Sequence, residues 1–221
     1  MNTNTKVAIG FSGVLILVVA AFIFIAIVQA QQSRPEADVG SGAGPASAIR
    51  DDTRILDDAD DGSVTVVEFL DFECEACGAF YPVVEDLREK FSGQVTFAIR
   101  YFPLPGHFNS KNAAVAVEAA AQQGLLEEMY TRMFETQKDW GEAQESRAPL
   151  FRQFAEDLGL DLTEYDAAVA DPATLQRVES DFDDGVELGV DSTPTFFVND
   201  QKVQLAAFED LREAIEAELD R

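Results

Sequence analysis

Residues 64–77, VTVVEFLDFECEAC, lead from a run of apolar and β-branched side chains into a pair of cysteines. The run 64–70 has the composition of a short buried strand. After Cys77 the apolar residues recur at the spacing of one helix face, at Phe80, Val83, Val84, Leu87 and Phe91. The sequence therefore predicts that the cysteines lie where a strand passes into a helix.

The rest of the chain predicts an α/β domain. Alternating apolar residues over 95–101 indicate a second strand, which completes a β-α-β unit with a parallel strand pair. Between about residues 107 and 189 there is no strand pattern, and amphipathic stretches predict a helical insertion. Strand patterns at 195–198 and 202–205 then predict a hairpin, and an amphipathic helix follows. The predicted order over 51–221 is β-α-β, helices, β-β-α.

Length and composition exclude several classes of protein. A chain of 221 residues has room for one ordinary domain and an appendage. Its 41 acidic and 16 basic residues give a net charge of −25, and such a surface repels nucleic acid. Because 47% of the residues are hydrophobic, the chain has the material for a packed core and is not a disordered acidic protein.

The N-terminal region predicts attachment to a membrane. Residues 7–28 contain no charged side chain and are long enough to cross a bilayer as a helix. Lys6 favours a cytoplasmic location for residues 1–6, which places the folded domain outside the cytoplasm as a single-pass protein of the cell membrane. Residues 29–50 have the composition of a flexible linker. The alternative is a signal peptide cleaved after Ala30.

The two cysteines, Cys74 and Cys77, indicate redox chemistry. Two cysteines and one histidine exclude a multi-disulfide scaffold and a complete zinc site within one chain. A helix N-terminus stabilises a thiolate, which predicts Cys74 as the nucleophile, and Cys77 is close enough to resolve a mixed disulfide. An inert disulfide and a metal site shared between two chains are the alternatives.

Residues 66–77 and the downstream segment 189–199, GVDSTPTFFVN, resemble the membrane-anchored DsbA-like thiol-disulfide oxidoreductases of the thioredoxin superfamily. The resemblance covers nearly all of 51–221 and implies a thioredoxin fold with a central mixed sheet. It also implies a cis Thr193–Pro194 peptide bond that faces the cysteines and holds a substrate chain beside Cys74. A trans proline before a strand is the alternative.

Glu68 is the third candidate catalytic residue. It lies in the apolar strand six residues before Cys74, and burial of a carboxyl raises its pKa towards the range of a general base. The resemblance implies that this acid helps to deprotonate Cys77. The alternative is a side chain that reaches solvent at the edge of the sheet.

The resemblance implies a function in disulfide exchange with secreted or membrane proteins, and disulfide formation is the favoured direction. It further implies reoxidation by a membrane partner of the DsbB or VKOR type and requires no metal or organic cofactor. One alternative is a reductase or isomerase that a membrane electron donor keeps reduced. Another, of a different class, is a non-catalytic binding or holdase module with an inert disulfide.

The residues around the cysteines depart from the strongest oxidases of this family. Those enzymes carry a proline and a histidine between the cysteines, whereas this chain has Glu75 and Ala76. Carboxylates at Asp71 and Glu73 predict a less stable thiolate and therefore a weaker oxidant. The single histidine, His107, is assigned to the start of the insertion and not to the site.

Overall fold

A computed structural model describes residues 47–59 and 63–221, and in these residues five strands form one sheet. The strands are β1 (Arg54–Asp57), β2 (Val64–Leu70), β3 (Val95–Tyr101), β4 (Thr195–Val198) and β5 (Gln201–Lys202). Their order is β1-β3-β2-β4-β5. β2 pairs parallel with β3, and the other three pairings are antiparallel. The sheet is therefore mixed, as the sequence predicted.

Helices connect the strands in the predicted order. α1 (Glu75–Lys90) lies between β2 and β3, and α8 (Glu209–Leu219) follows β5. The helices between β3 and β4 are α2 (Ser110–Ala121), α3 (Leu126–Glu135), α4 (Gln137–Trp140), α5 (Ala148–Asp157), α6 (Leu162–Ala170) and α7 (Pro172–Glu187). These six helices of the described chain form the insertion that the sequence predicted.

The core of the insertion reaches the cysteines. One cluster of buried side chains contains both Cys74 and Cys77 together with Phe72, Met133 and Trp140. Phe72 lies within van der Waals range of rings from the insertion, with a centroid distance of 5.1 Å to Phe134. Packing of the insertion therefore supports the segment that carries the cysteines.

A buried ion pair connects helix α7 to the centre of the sheet. Arg100 on β3 is fully buried, and its Nε donates to Asp181 Oδ1 on α7 at 2.6 Å. Asp184, one turn further along α7, accepts a second hydrogen bond from the same guanidinium. Because α7 runs directly into the loop that contains Pro194, this contact helps to position that loop.

Two boundaries differ from the prediction. The Asp-rich segment 51–62 contains β1, because its backbone pairs with β3 and does not need the apolar pattern of a buried strand. Residues 47–50 were assigned to the flexible linker, but Ala48 is 1% exposed and its N–H donates to Asp200 Oδ1 at 2.8 Å. The packed domain thus includes residues from 47 onwards.

The hairpin is also shorter than predicted. The second strand of the pair contains only Gln201–Lys202, and it pairs with Phe197 and Val198. Asn199 and Asp200 form the predicted turn, with φ values of 47° and 61°. Both residue types tolerate this left-handed conformation, which explains the close return of the chain.

The helices within 47–59 and 63–221 are all too short or too polar to cross a bilayer. The predicted cytoplasmic segment 1–6 and membrane span 7–28 lie outside the described residues, as does most of the predicted linker.

Replacing Gly185 with alanine tests the packing of α7 against the sheet. A Cβ at this position would lie 2.7 Å from Phe102 Cδ2 and 3.0 Å from Phe69 Cδ1. We expect Gly185→Ala to lower the free energy of unfolding by about 1–2 kcal/mol, because buried rings must shift and this outweighs the better helix propensity of alanine. Urea denaturation measures the change. Gly106→Ala is the control, since its Cβ meets no atom within 4 Å; equal stability of both variants would contradict the packing described here.

Candidate active site

Cys74 lies at the N-terminus of α1, where the backbone changes from extended to helical geometry. The residue is 7% exposed. Its sulfur receives hydrogen bonds from the Cys77 thiol and from the N–H groups of Cys77 and Ala76, and these lower the pKa of the Cys74 thiol to about 6 against the opposing effect of burial. Most of the Cys74 side chains are therefore ionised at neutral pH.

Cys77 lies one turn into the same helix and has the opposite character. Its side chain is fully buried. Burial, followed by the interaction with Cys74 and the charge of Glu68, raises the pKa of Cys77 well above its usual value. The pair is therefore asymmetric: Cys74 supplies a thiolate, whereas Cys77 keeps its proton until a base removes it.

Glu68 lies in β2 at the centre of the sheet, where its neighbours are Ile99 of β3 and Phe196 of β4. It is 3% exposed, so the alternative of a side chain reaching solvent at a sheet edge is wrong. Burial, with a smaller effect from the charge of Cys74, raises its pKa to about 8. The Glu68 charge in turn contributes to the raised pKa of Cys77.

The Thr193–Pro194 peptide bond is cis, so the alternative of a trans proline is wrong. The loop that contains it lies against Cys74, whose Sγ is 3.4 Å from the Thr193 carbonyl oxygen. Thr193 is 8% exposed, and β4 begins at the next residue after Pro194. The structure thus places the Thr193–Pro194 segment against Cys74, on the same helix turn as Cys77, and the charge of Cys74 acts on Glu68.

His107 was assigned to the insertion, yet the structure places it beside the site. Its Nδ1 lies 2.6 Å from Asp71 Oδ2, three residues before Cys74. Burial lowers the pKa of His107, but the hydrogen bond to Asp71 and nearby negative charges, that of Cys74 included, outweigh this effect and raise it. Residues that follow the parallel neighbours β2 and β3 leave the same edge of the sheet, and this topological signal could have located the histidine.

Gln137 on α4 holds the start of α1 and was not selected from the sequence. Its Nε2 donates to the carbonyl oxygens of Phe72 and Cys74, both at 2.8 Å. A Cβ on Gly78 would lie 2.1 Å from Gln137 Oε1, so the close approach requires glycine at that position. This contact fixes the backbone of the nucleophile to the insertion.

The carboxylates next to Cys74 are themselves hydrogen-bonded to backbone N–H groups. Asp71 accepts the N–H groups of Glu73 and Leu104 at 2.9 and 3.0 Å, and Glu73 accepts the N–H of Asn109 at 2.6 Å. These donors partly neutralise the negative charge, and the pKa of Cys74 lies below its usual value. Within the described part of the chain, no group of three or more potential ligands could hold a metal ion.

A protein-family model described as thioredoxin matches residues 57–217. This chain belongs to the thioredoxin family. Among solved structures, the thioredoxin-family domain is similar to oxidised BdbD from Bacillus subtilis, with 25% identity and a TM-score of 0.67 over 76% of this chain and 94% of that one. A thioredoxin-like oxidoreductase from Silicibacter pomeroyi has the same TM-score at 24% identity, over 81% and 99% of the two chains.

The fold is also shared with alpha-DsbA1 from Wolbachia pipientis, at 19% identity and a TM-score of 0.67 over 78% of this chain and 93% of that one. This likeness shows the fold. Membership of the thioredoxin family and the asymmetric cysteine pair identify the chain as a thiol-disulfide oxidoreductase. A non-catalytic module with an inert disulfide does not fit this identification.

The chain is also similar in sequence to part of several Na⁺/H⁺ antiporters. The Na⁺/H⁺ antiporter NhaA of Herminiimonas arsenicoxydans is 33% identical over 149 residues, which is 66% of this chain and 22% of that protein. Na⁺/H⁺ antiporter NhaA 3 of Salinispora tropica is 37% identical over 140 residues, which is 63% of this chain and 20% of that protein. The thioredoxin-family chain spans about a fifth of the length of the curated relatives it matches.

Alkylation kinetics test the asymmetry of the cysteine pair. In the reduced protein we expect iodoacetamide to modify Cys74 at a rate that reaches half its maximum near pH 6, because the thiolate is the reacting species. Mass spectrometry identifies the modified residue, and Cys74→Ser removes the fast phase. A half-maximal rate above pH 8, or faster modification of Cys77, would contradict the assignment.

Neutralising Glu68 tests whether its burial destabilises the protein. The folded protein retains the Glu68 proton up to about pH 8, whereas the unfolded chain loses it near pH 4.5, so stability falls as pH rises between these values. We expect Glu68→Gln to raise the free energy of unfolding by about 3 kcal/mol at pH 7.5, with a smaller gain at pH 5. The same variant slows release of the mixed disulfide by Cys77.

Denaturation of the reduced protein at pH 5 and pH 7.5 measures this difference. Glu89→Gln, on the exposed side of α1, is the matched control and leaves the pH dependence unchanged. If the free energy of unfolding changed with pH in Glu68→Gln as it does in the unmodified protein, the raised pKa of Glu68 would be refuted.

Proposed function

We propose that this protein forms disulfide bonds in secreted or membrane proteins, with its catalytic domain tethered outside the cytoplasm. The observation that carries the proposal is the asymmetry between Cys74 and Cys77 at the start of α1. A stabilised Cys74 thiolate favours the dithiol form of the enzyme, so the enzyme disulfide tends to pass to a substrate.

The proposed enzyme is an oxidant of intermediate strength. A pKa of about 6 for Cys74 lies between the values of about 7 for reducing thioredoxin and about 3.5 for DsbA. Each pKa unit of thiolate stabilisation in the reduced form corresponds to about 30 mV. We therefore place the reduction potential between about −270 mV and −120 mV, the values of those two proteins.

The proposed reaction begins with a substrate thiolate, which attacks the Cys74 sulfur of the enzyme disulfide. The Cys74–Cys77 bond breaks, a mixed disulfide forms on Cys74, and Cys77 leaves with the electron pair and takes up a proton, for which Glu68 is the nearby acid. A second substrate thiolate then attacks the substrate sulfur of the mixed disulfide. Cys74 leaves as a thiolate, and its low pKa makes it a good leaving group.

Two features support polypeptide substrates. The Thr193–Pro194 segment lies against Cys74 and, in this proposal, holds an extended substrate chain next to the reacting sulfur. Further along α1, Phe80 and the exposed Phe208 line a cavity of about 300 Å³ with Leu205. Apolar side chains of an unfolded protein fit such a surface.

The proposed location and redox partner rest on the sequence. The uncharged segment 7–28 supports a membrane anchor, and a disulfide-forming enzyme requires a compartment in which disulfides persist. Continuous turnover requires a membrane partner that reoxidises Cys74 and Cys77, and we propose a protein of the DsbB or VKOR type. No further cofactor is needed for the exchange steps.

Trapping of mixed disulfides tests this function. We expect Cys77→Ser to accumulate disulfides with exported or membrane proteins through Cys74, because the resolving thiol is absent. The adducts are identified by mass spectrometry after acid quenching, and Cys74→Ser is the control that forms none. Absence of adducts, or adducts with cytosolic proteins only, would overturn the proposal.

The redox state of the unmodified protein in growing cells determines the direction of exchange. We expect Cys74 and Cys77 to be mostly disulfide-bonded, as a thiol-labelling gel shift reports. A mostly reduced pair would identify the reductase or isomerase considered as the alternative.

A further inference from the structure

His107 is hydrogen-bonded to Asp71, three residues before the nucleophilic cysteine. It lies in the connection between β3 and α2, and its Nδ1 contacts Asp71 Oδ2 at 2.6 Å. Asp71 is 1% exposed and is fixed by the N–H groups of Glu73 and Leu104, while its own backbone carbonyl accepts the N–H of Cys74 at 3.1 Å. The carboxylate that orients the imidazole therefore belongs to the same turn as the nucleophile.

The surroundings of His107 favour its cationic form. The charged or ionisable groups that interact with it or share its cavity are Asp71, Glu73, Cys74, Glu75, Glu142, Lys111, Glu179 and Asp183. Acidic groups outnumber the single lysine, and Lys111 is itself paired with Glu179 at 3.0 Å. The imidazole is also partly exposed, at 27% of its side-chain surface, so solvent protons reach it.

We propose that His107, oriented by Asp71, is a positioning residue whose imidazolium stabilises the Cys74 thiolate and couples proton uptake to reduction of the Cys74–Cys77 disulfide. The two residues between the cysteines, Glu75 and Ala76, carry no positive charge. In this proposal His107 supplies that charge from the connection between β3 and α2. This inference concerns the cysteine pair itself and holds for either direction of exchange.

The coupling follows from charge balance. Reduction by a dithiol transfers two electrons, breaks the Cys74–Cys77 bond and leaves Cys74 as a thiolate and Cys77 as a thiol. The reductant becomes a disulfide and loses two protons, one to Cys77 and the other to His107 or to solvent. The new negative charge on Cys74 increases the affinity of His107 for a proton. By linkage, a proton on His107 favours the reduced pair by the same factor. The effect operates between the pKa of Cys74 and that of His107, and it is lost at higher pH where the imidazole is neutral.

Proton NMR of the unmodified protein tests the coupling directly, because His107 is the only histidine in the sequence. The imidazole resonance is followed from pH 5 to pH 9 in the oxidised protein and after reduction with excess dithiothreitol. We expect the pKa of His107 to be higher in the reduced form by about half a pH unit, a threefold change in proton affinity. Cys74→Ser, which cannot form the thiolate, should titrate like the oxidised protein. Equal titration of both redox forms would overturn the proposal.

Substitutions measure the reverse effect on Cys74. We expect His107→Gln to raise the pKa of the Cys74 thiol by about half a pH unit and to lower its alkylation rate about twofold at pH 6, but not at pH 8.5. His107→Lys retains a positive charge and should restore the rate at pH 6. Lys111→Gln is the matched control, since it removes a neighbouring cation that does not contact Asp71.

The two measurements are independent. An unchanged Cys74 pKa in folded His107→Gln, as judged by circular dichroism, would overturn the proposal, and so would an equal loss of rate in Lys111→Gln. If His107→Gln does not fold, the NMR titration of the unmodified protein still decides the question. Failure of the disulfide-forming function would appear instead in mixed-disulfide trapping, which does not depend on His107.

Discussion

The stabilisation of one thiolate at the first turn of α1 is the interaction on which the chemistry of this protein depends. The N–H groups of Ala76 and Cys77 and the Cys77 thiol all act on the sulfur of Cys74, and together they outweigh the unfavourable effect of burial. A thiol of this acidity is nucleophilic when reduced and a good leaving group in a mixed disulfide. The surrounding structure keeps the turn in this geometry: Gln137 donates to the carbonyl oxygens of Phe72 and Cys74, and the Asp71 carboxylate accepts the N–H of Glu73.

Glu68, the buried acid of the site, lowers the stability of the folded protein. Glu68 occupies a central strand, and burial raises its pKa to about 8, so the folded protein becomes less stable as pH rises from about 4.5 towards that value. A neutral residue of similar size would fill the same space without this cost. The proposed transfer of a proton at the buried Cys77 thiol gives this costly carboxyl a function.

Several elements could be predicted from the sequence, and others could not. The apolar run before Cys74 and the helical spacing after Cys77 predicted β2 and α1, because both patterns repeat over neighbouring residues. β1 was missed because an edge strand held by backbone pairing to β3 needs no apolar alternation. The hydrogen bond between the N–H of Asn109 and Glu73 was not predicted, because the two residues lie 36 positions apart in the chain. His107 was placed outside the site for the same reason, since Asp71 is equally distant in sequence.

Spacing, composition and the two segments around Cys74 and Pro194 were sufficient to establish the α/β class, the cysteine pair and the character of the reaction. These properties arise from contacts within a few turns of chain or from motifs that can be read directly. The tertiary structure was needed to show that Thr193 lies against Cys74 across 119 residues, that Glu68 is enclosed between two strands, and that His107 contacts Asp71. Such contacts depend on how the sheet and the insertion pack, and no local pattern encodes the distance between two segments that only folding brings together.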